Sequence, residues 1–213
     1  MKNQTSTRLF GYWNDLRGPR MAPNRFEVEP SRITDILSQT FILERTAADQ
    51  FLFRLAGTQV CENFGCEFRG REILEMFEQG DRPNFERILR GTFFEGSVGV
   101  VSIEAQTPDG RAWTFEMLLL PLIHSGNAVT RVLGALSPDE PGPEWLGSIP
   151  LVSQSIRRIS MIWPDGHPHA IIERNEHQLP FSQIPGPKRV VSIDRRNFRV
   201  FDGGRIDTTS TDN

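Results

Sequence analysis

Two short runs, FILER at Phe41–Arg45 and FLFRLAG at Phe51–Gly57, decide the fold. Both are rich in residues that suit a pleated, half-buried surface, and TAADQ between them makes an antiparallel hairpin the economical reading. In the second run, the two-residue period sets Phe51, Phe53 and Leu55 on one face and Leu52 and Arg54 on the other. Gly57 ends the strand. Short helical turns follow in GCEFRGREILEMF (Gly65–Phe77), and Asp81 then offers an N-cap to a longer helix. Its apolar stripe is Phe85, Ile88, Leu89 and Phe93, closed by Gly96.

Three closely spaced strands come next. Gly99–Gln106 places Val101, Ile103 and Ala105 on one face, and Pro108-Asp109-Gly110 supplies hairpin chemistry. The return strand sets Trp113, Phe115, Met117 and Leu119 against Ala112, Thr114, Glu116 and Leu118, and RVLGALS at Arg131–Ser137 is the last. Two strands, a helical crossover and a three-strand meander form one antiparallel sheet of five strands with helices on one face, an α+β fold. The predicted inner face is Phe53, Leu55, Ile103, Phe115, Met117 and, if the last strand keeps phase, Leu133. With Phe85 and Ile88 of the helix these residues line the cup, as a filled core or a candidate pocket.

From Leu118 to Ile123 both faces of the return strand are apolar, which a sheet with one wet face would not show. The cover for the outer face is a helix near the N-terminus, where Leu9, Tyr12, Trp13 and Leu16 repeat at helical spacing before Gly18-Pro19. That helix comes from the same chain or from a second subunit. Leu118, Leu120 and Leu122 with the four helix residues are therefore the candidate interface. A second short helix is expected after Pro30, with Ile33, Ile36 and Leu37 on one face. Residues 1–40 thus read as a helical extension, 41–138 as the core domain, and 139–213 as a linker and largely irregular tail, by its Pro, Gly and polar content.

The ordered set FLFRLAG, GCEFRGREILEMF, helix, PDG hairpin and LLLPLI…RVLGALS resembles a PAS domain. More closely, it is similar to the small single-PAS-domain proteins common in alphaproteobacteria, which share W-x-x-L-R-G, here Trp13–Gly18. The resemblance covers roughly residues 10–138 and implies a sensory or protein-interaction role without catalysis. A blue-light flavin sensor would need Asn and Gln beside a reactive cysteine. Gly65-Cys66-Glu67-Phe68-Arg69 is superficially close to that motif, but Trp113–Ile123 and Arg131–Ser137 carry neither residue. A haem sensor needs an axial histidine, and Asp81–Glu95 has none, which leaves His124 at a strand end. Neither flavin nor haem is expected as cofactor.

The 213 residues carry a net charge of −3, so nothing in the overall charge points to nucleic acid or a membrane as partner. No run is apolar enough to span a bilayer, and the N-terminus lacks a secretory signal, which suggests a cytoplasmic protein. Cys61 and Cys66 lack C-x-x-C spacing and read as reduced thiols that behave as small hydrophobes, with redox sensing as the lesser alternative. His167, His169 and His177 form a weak metal candidate, and the basic stretch from Lys188 to Arg205 around Phe198 reads as solvated charge. No nucleophile elbow, phosphate loop, zinc helix or dinucleotide fingerprint is present, and the single tyrosine, Tyr12, lies outside the sheet. The expected function is a regulatory module that forms a homodimer or binds a kinase, cyclase or regulator. A small-molecule receptor and, more distantly, a cone-shaped α+β enzyme are the alternatives.

Overall fold

In the computed structural model, residues 1–126, 128–139 and 142–166 are described. The sheet is antiparallel and has six strands: β1 (Thr40–Arg45), β2 (Phe51–Ala56), β3 (Val98–Gln106), β4 (Ala112–Ser125), β5 (Ala128–Pro138) and β6 (Ser153–Ile162). Their order across the sheet is β2-β1-β5-β4-β3-β6. The three α-helices are α1 (Gln4–Arg17), α2 (Thr58–Phe64) and α3 (Arg82–Glu95).

The β3–β4 ladder pairs Val101 with Met117 and Ile103 with Phe115, so the inward residues of both strands meet directly. Gly110, at φ +85°, closes the turn between them. Arg111 and Thr107 clamp the Asp109 carboxyl in that turn and hold it down at about 2. Further across the inner face, Gly134 stands opposite Phe41 on one side and Leu119 on the other. A Cβ on Gly134 would lie 2.1 Å from the Phe41 ring, so the absent side chain is what lets that ring lie flat on the sheet. Helix α3 seats above this face with Phe85, Ile88 and Leu89 fully buried. Asp81 is its N-cap residue, but its carboxylate does not cap the helix; it accepts the Ile156 N–H of β6 at 2.8 Å.

Helix α1 lies on the opposite face. Leu9 and Trp13 are fully buried there against Leu118, Leu120 and Leu122, with Ile42, Leu133 and Ala135 in the same apolar cluster. The Trp13 indole N–H donates to the Pro121 carbonyl at 2.8 Å, so the helix is fixed to β4 in register as well as by area. Glu116, also on this face, accepts the backbone N–H groups of Lys2 and Asn3 and ties down the start of α1. The Trp13–Gly18 motif acquires a physical reading: Arg17 lies over the Trp13 ring at 5.5 Å and pairs with Asp165 at 3.1 Å. Gly18 leaves the helix at φ +55°.

Several expectations need correction. The sheet has six strands, not five, because part of the segment read as tail pairs along β3. Its alternation is hidden by a bulge: Ile103 faces Ile156 and Ser102 faces Arg158, so Arg157 is an extra residue. The segment after Pro30 forms two 3-10 turns, Pro30–Ile33 and Leu37–Gln39, and no α-helix. The turns run directly into β1, which begins at Thr40. Leu55 does not join the inner face. Ile42 faces Leu55 while Leu43 faces Phe53, so Arg54 is bulged and Leu55 turns outward, 41% exposed. Leu133 also belongs to the outer layer, and Val132 and Leu136 take the inner positions of β5.

Candidate functional site

The cup between the sheet and α3 collects Phe53, Phe85, Ile88, Ile103, Phe115 and Met117, each at most 2% exposed. Aromatic rings fill it. Phe53 meets Phe41 at 5.4 Å and Phe68 at 4.9 Å; Phe68 meets Phe64 at 5.5 Å, and Phe77 meets Phe85 at 4.3 Å. Ring pairs at these separations are in direct packing contact. At the rim of the cup Phe64, Cys66, Phe68, Arg71, Glu72, Glu75, Met76, Leu151, Val152 and Gln154 line a cavity of about 280 Å³.

Of the two covers expected for the outer face, the structure has the helix of the same chain. Leu118, Leu120 and Leu122 have no exposed surface, because Leu9 and Trp13 of the same chain cover them. Tyr12 and Leu16 are half-buried at the edge of this layer, and the Tyr12 hydroxyl accepts the Glu29 N–H at 2.7 Å.

A polar groove that sequence reasoning missed lies at the other end of the sheet. Ser38 and Gln39 come from the turn before β1, and Thr58, Gln59, Glu62 and Asn63 from α2. Pro138 at the end of β5 and Gly142, Pro143, Leu146 and Gly147 of the next loop complete a volume of about 930 Å³. Gly57 permits the close approach of the first two walls, since a Cβ there would stand 2.3 Å from the Ser38 carbonyl oxygen. The Leu151 N–H donates to the Asn63 carbonyl at 2.9 Å and anchors the loop on α2.

Three carboxamides line this groove. The Gln39 side-chain oxygen accepts the Thr5 hydroxyl at 2.8 Å, and that of Gln59 accepts the Ser38 hydroxyl at 3.4 Å. Asn63 is 2% exposed, and its side-chain nitrogen has no hydrogen-bond partner. Donor nitrogens are thus left over on all three. No single spacing reveals them, because they come from two segments and the sequence of the loop wall reads as linker.

Cys61 and Cys66 are free and half-buried. Burial pushes the Cys61 thiol above its ordinary value, and the nearby Glu67 and Glu62 carboxylates add to this against a backbone hydrogen bond from Phe68. Cys61 is expected to react with a chromogenic disulfide at pH 7 more slowly than an unhindered cysteine, since the thiolate is the nucleophile. A rate equal to or above that of the free amino acid would restore the redox reading. Among the described residues no three His, Cys, Asp or Glu side chains converge as metal ligands. His167, His169, His177 and the basic stretch Lys188–Arg205 lie outside the described residues.

A family model described as a PAS domain matches residues 1–137. The chain belongs to the PAS-domain family. The match takes in α1, so the helix over the outer face is part of what the PAS model recognises, whereas β6 follows it. Among solved structures, this PAS domain is similar to an RNA-binding light-oxygen-voltage receptor, at 15% identity and a TM-score of 0.40. That likeness covers 56% of this chain and 33% of the receptor. No curated protein sequence matches. Among the described residues no helix of the PAS protein is long and apolar enough to cross a membrane.

Proposed function

We propose that this PAS protein is a non-catalytic regulatory module of the cytoplasm that works by association, with a second copy or with a signalling partner such as a kinase, cyclase or regulator. The observation that carries this reading is the filled cup. Where a receptor would hold its ligand, Phe53, Phe68, Phe77 and Phe85 pack on one another, so we assign the cup neither flavin nor haem. The outer-face leucines are spent under α1, which moves the association surface to the far side of that layer, where Phe10, Tyr12 and Leu16 remain half-buried.

Native mass spectrometry tests it. The expected result is a species at twice the 24.2 kDa chain mass with nothing added. A monomer that carries a discrete extra mass, released on denaturation, would instead make the protein a receptor with an occupied core.

A further inference from the structure

The cavity at the rim of the cup carries an inference independent of the association reading. We propose that it binds a zwitterionic molecule with an apolar side chain, an α-amino acid of the leucine, methionine or phenylalanine class.

One buried group asks for a ligand. Gln154 of β6 stands directly opposite Ala105, so its carboxamide shares the inner side of the sheet with that fully buried alanine. Gln154 lines the cavity, is 6% exposed and makes no hydrogen bond to a described residue. Unlike the Asn63 nitrogen, its amide atoms are not sealed off, so a molecule in the cavity reaches them. A largely buried carboxamide left unpaired is unfavourable, and a polar ligand atom placed against it recovers that loss. The group both donates and accepts, so it suits a carboxylate oxygen as well as an ammonium.

The floor is apolar and held in advance. Phe64 and Phe68 meet edge to face at 5.5 Å, and Met76 and the buried Leu151 complete the slot. The Phe53 N–H donates to the Arg71 carbonyl at 2.9 Å and fixes one wall to β2; the Val152 N–H donates to the Gln106 carbonyl at 2.8 Å and fixes the other to β3. Walls already in place cost little ordering on binding. The volume of about 280 Å³ equals that of roughly nine waters at about 30 Å³ each, the size of an amino acid.

Charge at the mouth selects the head group. Arg71, Glu72 and Glu75 all line the cavity, and none forms an ion pair with a described residue. A simple carboxylic acid would meet two like charges there, and a simple amine would meet one. A zwitterion offers its carboxylate to Arg71 and its ammonium to the glutamates, so each charge finds its opposite. The wall from Leu151 to Gln154 follows the matched residues 1–137, so the cavity is completed by chain outside the PAS match.

Titrations of the full chain followed by saturation-transfer NMR test the assignment, with leucine, methionine and phenylalanine as probes. Phenylpropionate and phenethylamine, each lacking one of the two charges, are the counterparts. At least one amino acid is expected to bind, several-fold more tightly than either counterpart. Arg71→Gln, at an exposed position, should weaken that binding about tenfold with the melting temperature retained. Gln154→Leu should also weaken it several-fold, while the melting temperature holds or rises because an unpaired amide leaves the inner face. Binding of none of the amino acids, equal or tighter binding of a singly charged counterpart, or an affinity indifferent to either substitution would overturn the proposal. An amino acid at this rim exchanges freely, so the native mass described above does not depend on it.

Discussion

Trp13→Ala is expected to destabilise the domain by about 3–5 kcal/mol, the usual cost of emptying a buried tryptophan site. The side chain has no exposed surface and contacts the layer formed by Leu118, Leu120 and Leu122. Its truncation also leaves the Pro121 carbonyl without the indole donor that it holds at 2.8 Å. Against a total stability of about 5–15 kcal/mol for an ordinary domain, this is a large fraction. Leu120→Arg should act in the same direction and at least as strongly, because a guanidinium would replace a fully buried leucine in an apolar layer. Chemical denaturation checks both, and the protein concentration is the informative variable. With α1 packed on its own sheet, the loss in Trp13→Ala is the same at micromolar and at tenfold higher concentration. Dimerisation raises the midpoint of both proteins with concentration, so it is a loss that itself changes with concentration that would mean the helix covers a partner's sheet instead.

The sheet was legible where one of its faces is marked by polar residues. Val101, Ile103 and Ala105 alternate with Ser102 and Glu104, and Phe115 and Met117 alternate with Thr114 and Glu116, so parity alone assigned them. Parity failed where that marker is missing or interrupted. In β5, Val132 and Leu133 are both apolar, and the two covered faces of the sheet differ in nothing that a hydrophobic pattern records. Leu55 and β6 share another cause. An extra residue, Arg54 in one strand and Arg157 in the other, reverses the faces beyond it, and a single bulge is invisible to a two-residue period. The cover over Leu118–Leu122 was readable because an uninterrupted apolar strand needs one, although its origin in the same chain was not. The polar groove was illegible for a different reason. Its donors gain meaning only from which of their oxygens are already engaged, by Thr5 from α1 and by Ser38.

Gly57→Ala should lower the melting temperature by about 6–12 °C, on the order of 3 kcal/mol for a chain of this size. The residue is not needed for an unusual backbone: its φ is −68°, open to any amino acid. What forbids a side chain is the proximity of other backbone. The added carbon would stand 2.3 Å from the Ser38 oxygen, 2.5 Å from its carbonyl carbon and 2.6 Å from the Leu37 oxygen. Backbone atoms cannot swing aside as a flexible side chain does, so either the 3-10 turn at Leu37–Gln39 or the start of α2 has to move. The hydrogen bond from the Gly57 N–H to the Thr40 carbonyl, 2.7 Å long, opposes that motion, which is why the strain appears as lost stability. Gly11→Ala is the control, since nothing lies within 4 Å of a Cβ there and alanine favours the helix by about 1 kcal/mol. A Gly57→Ala protein that melts with the Gly11→Ala control would show that the two walls do not approach as closely as 2.3 Å implies.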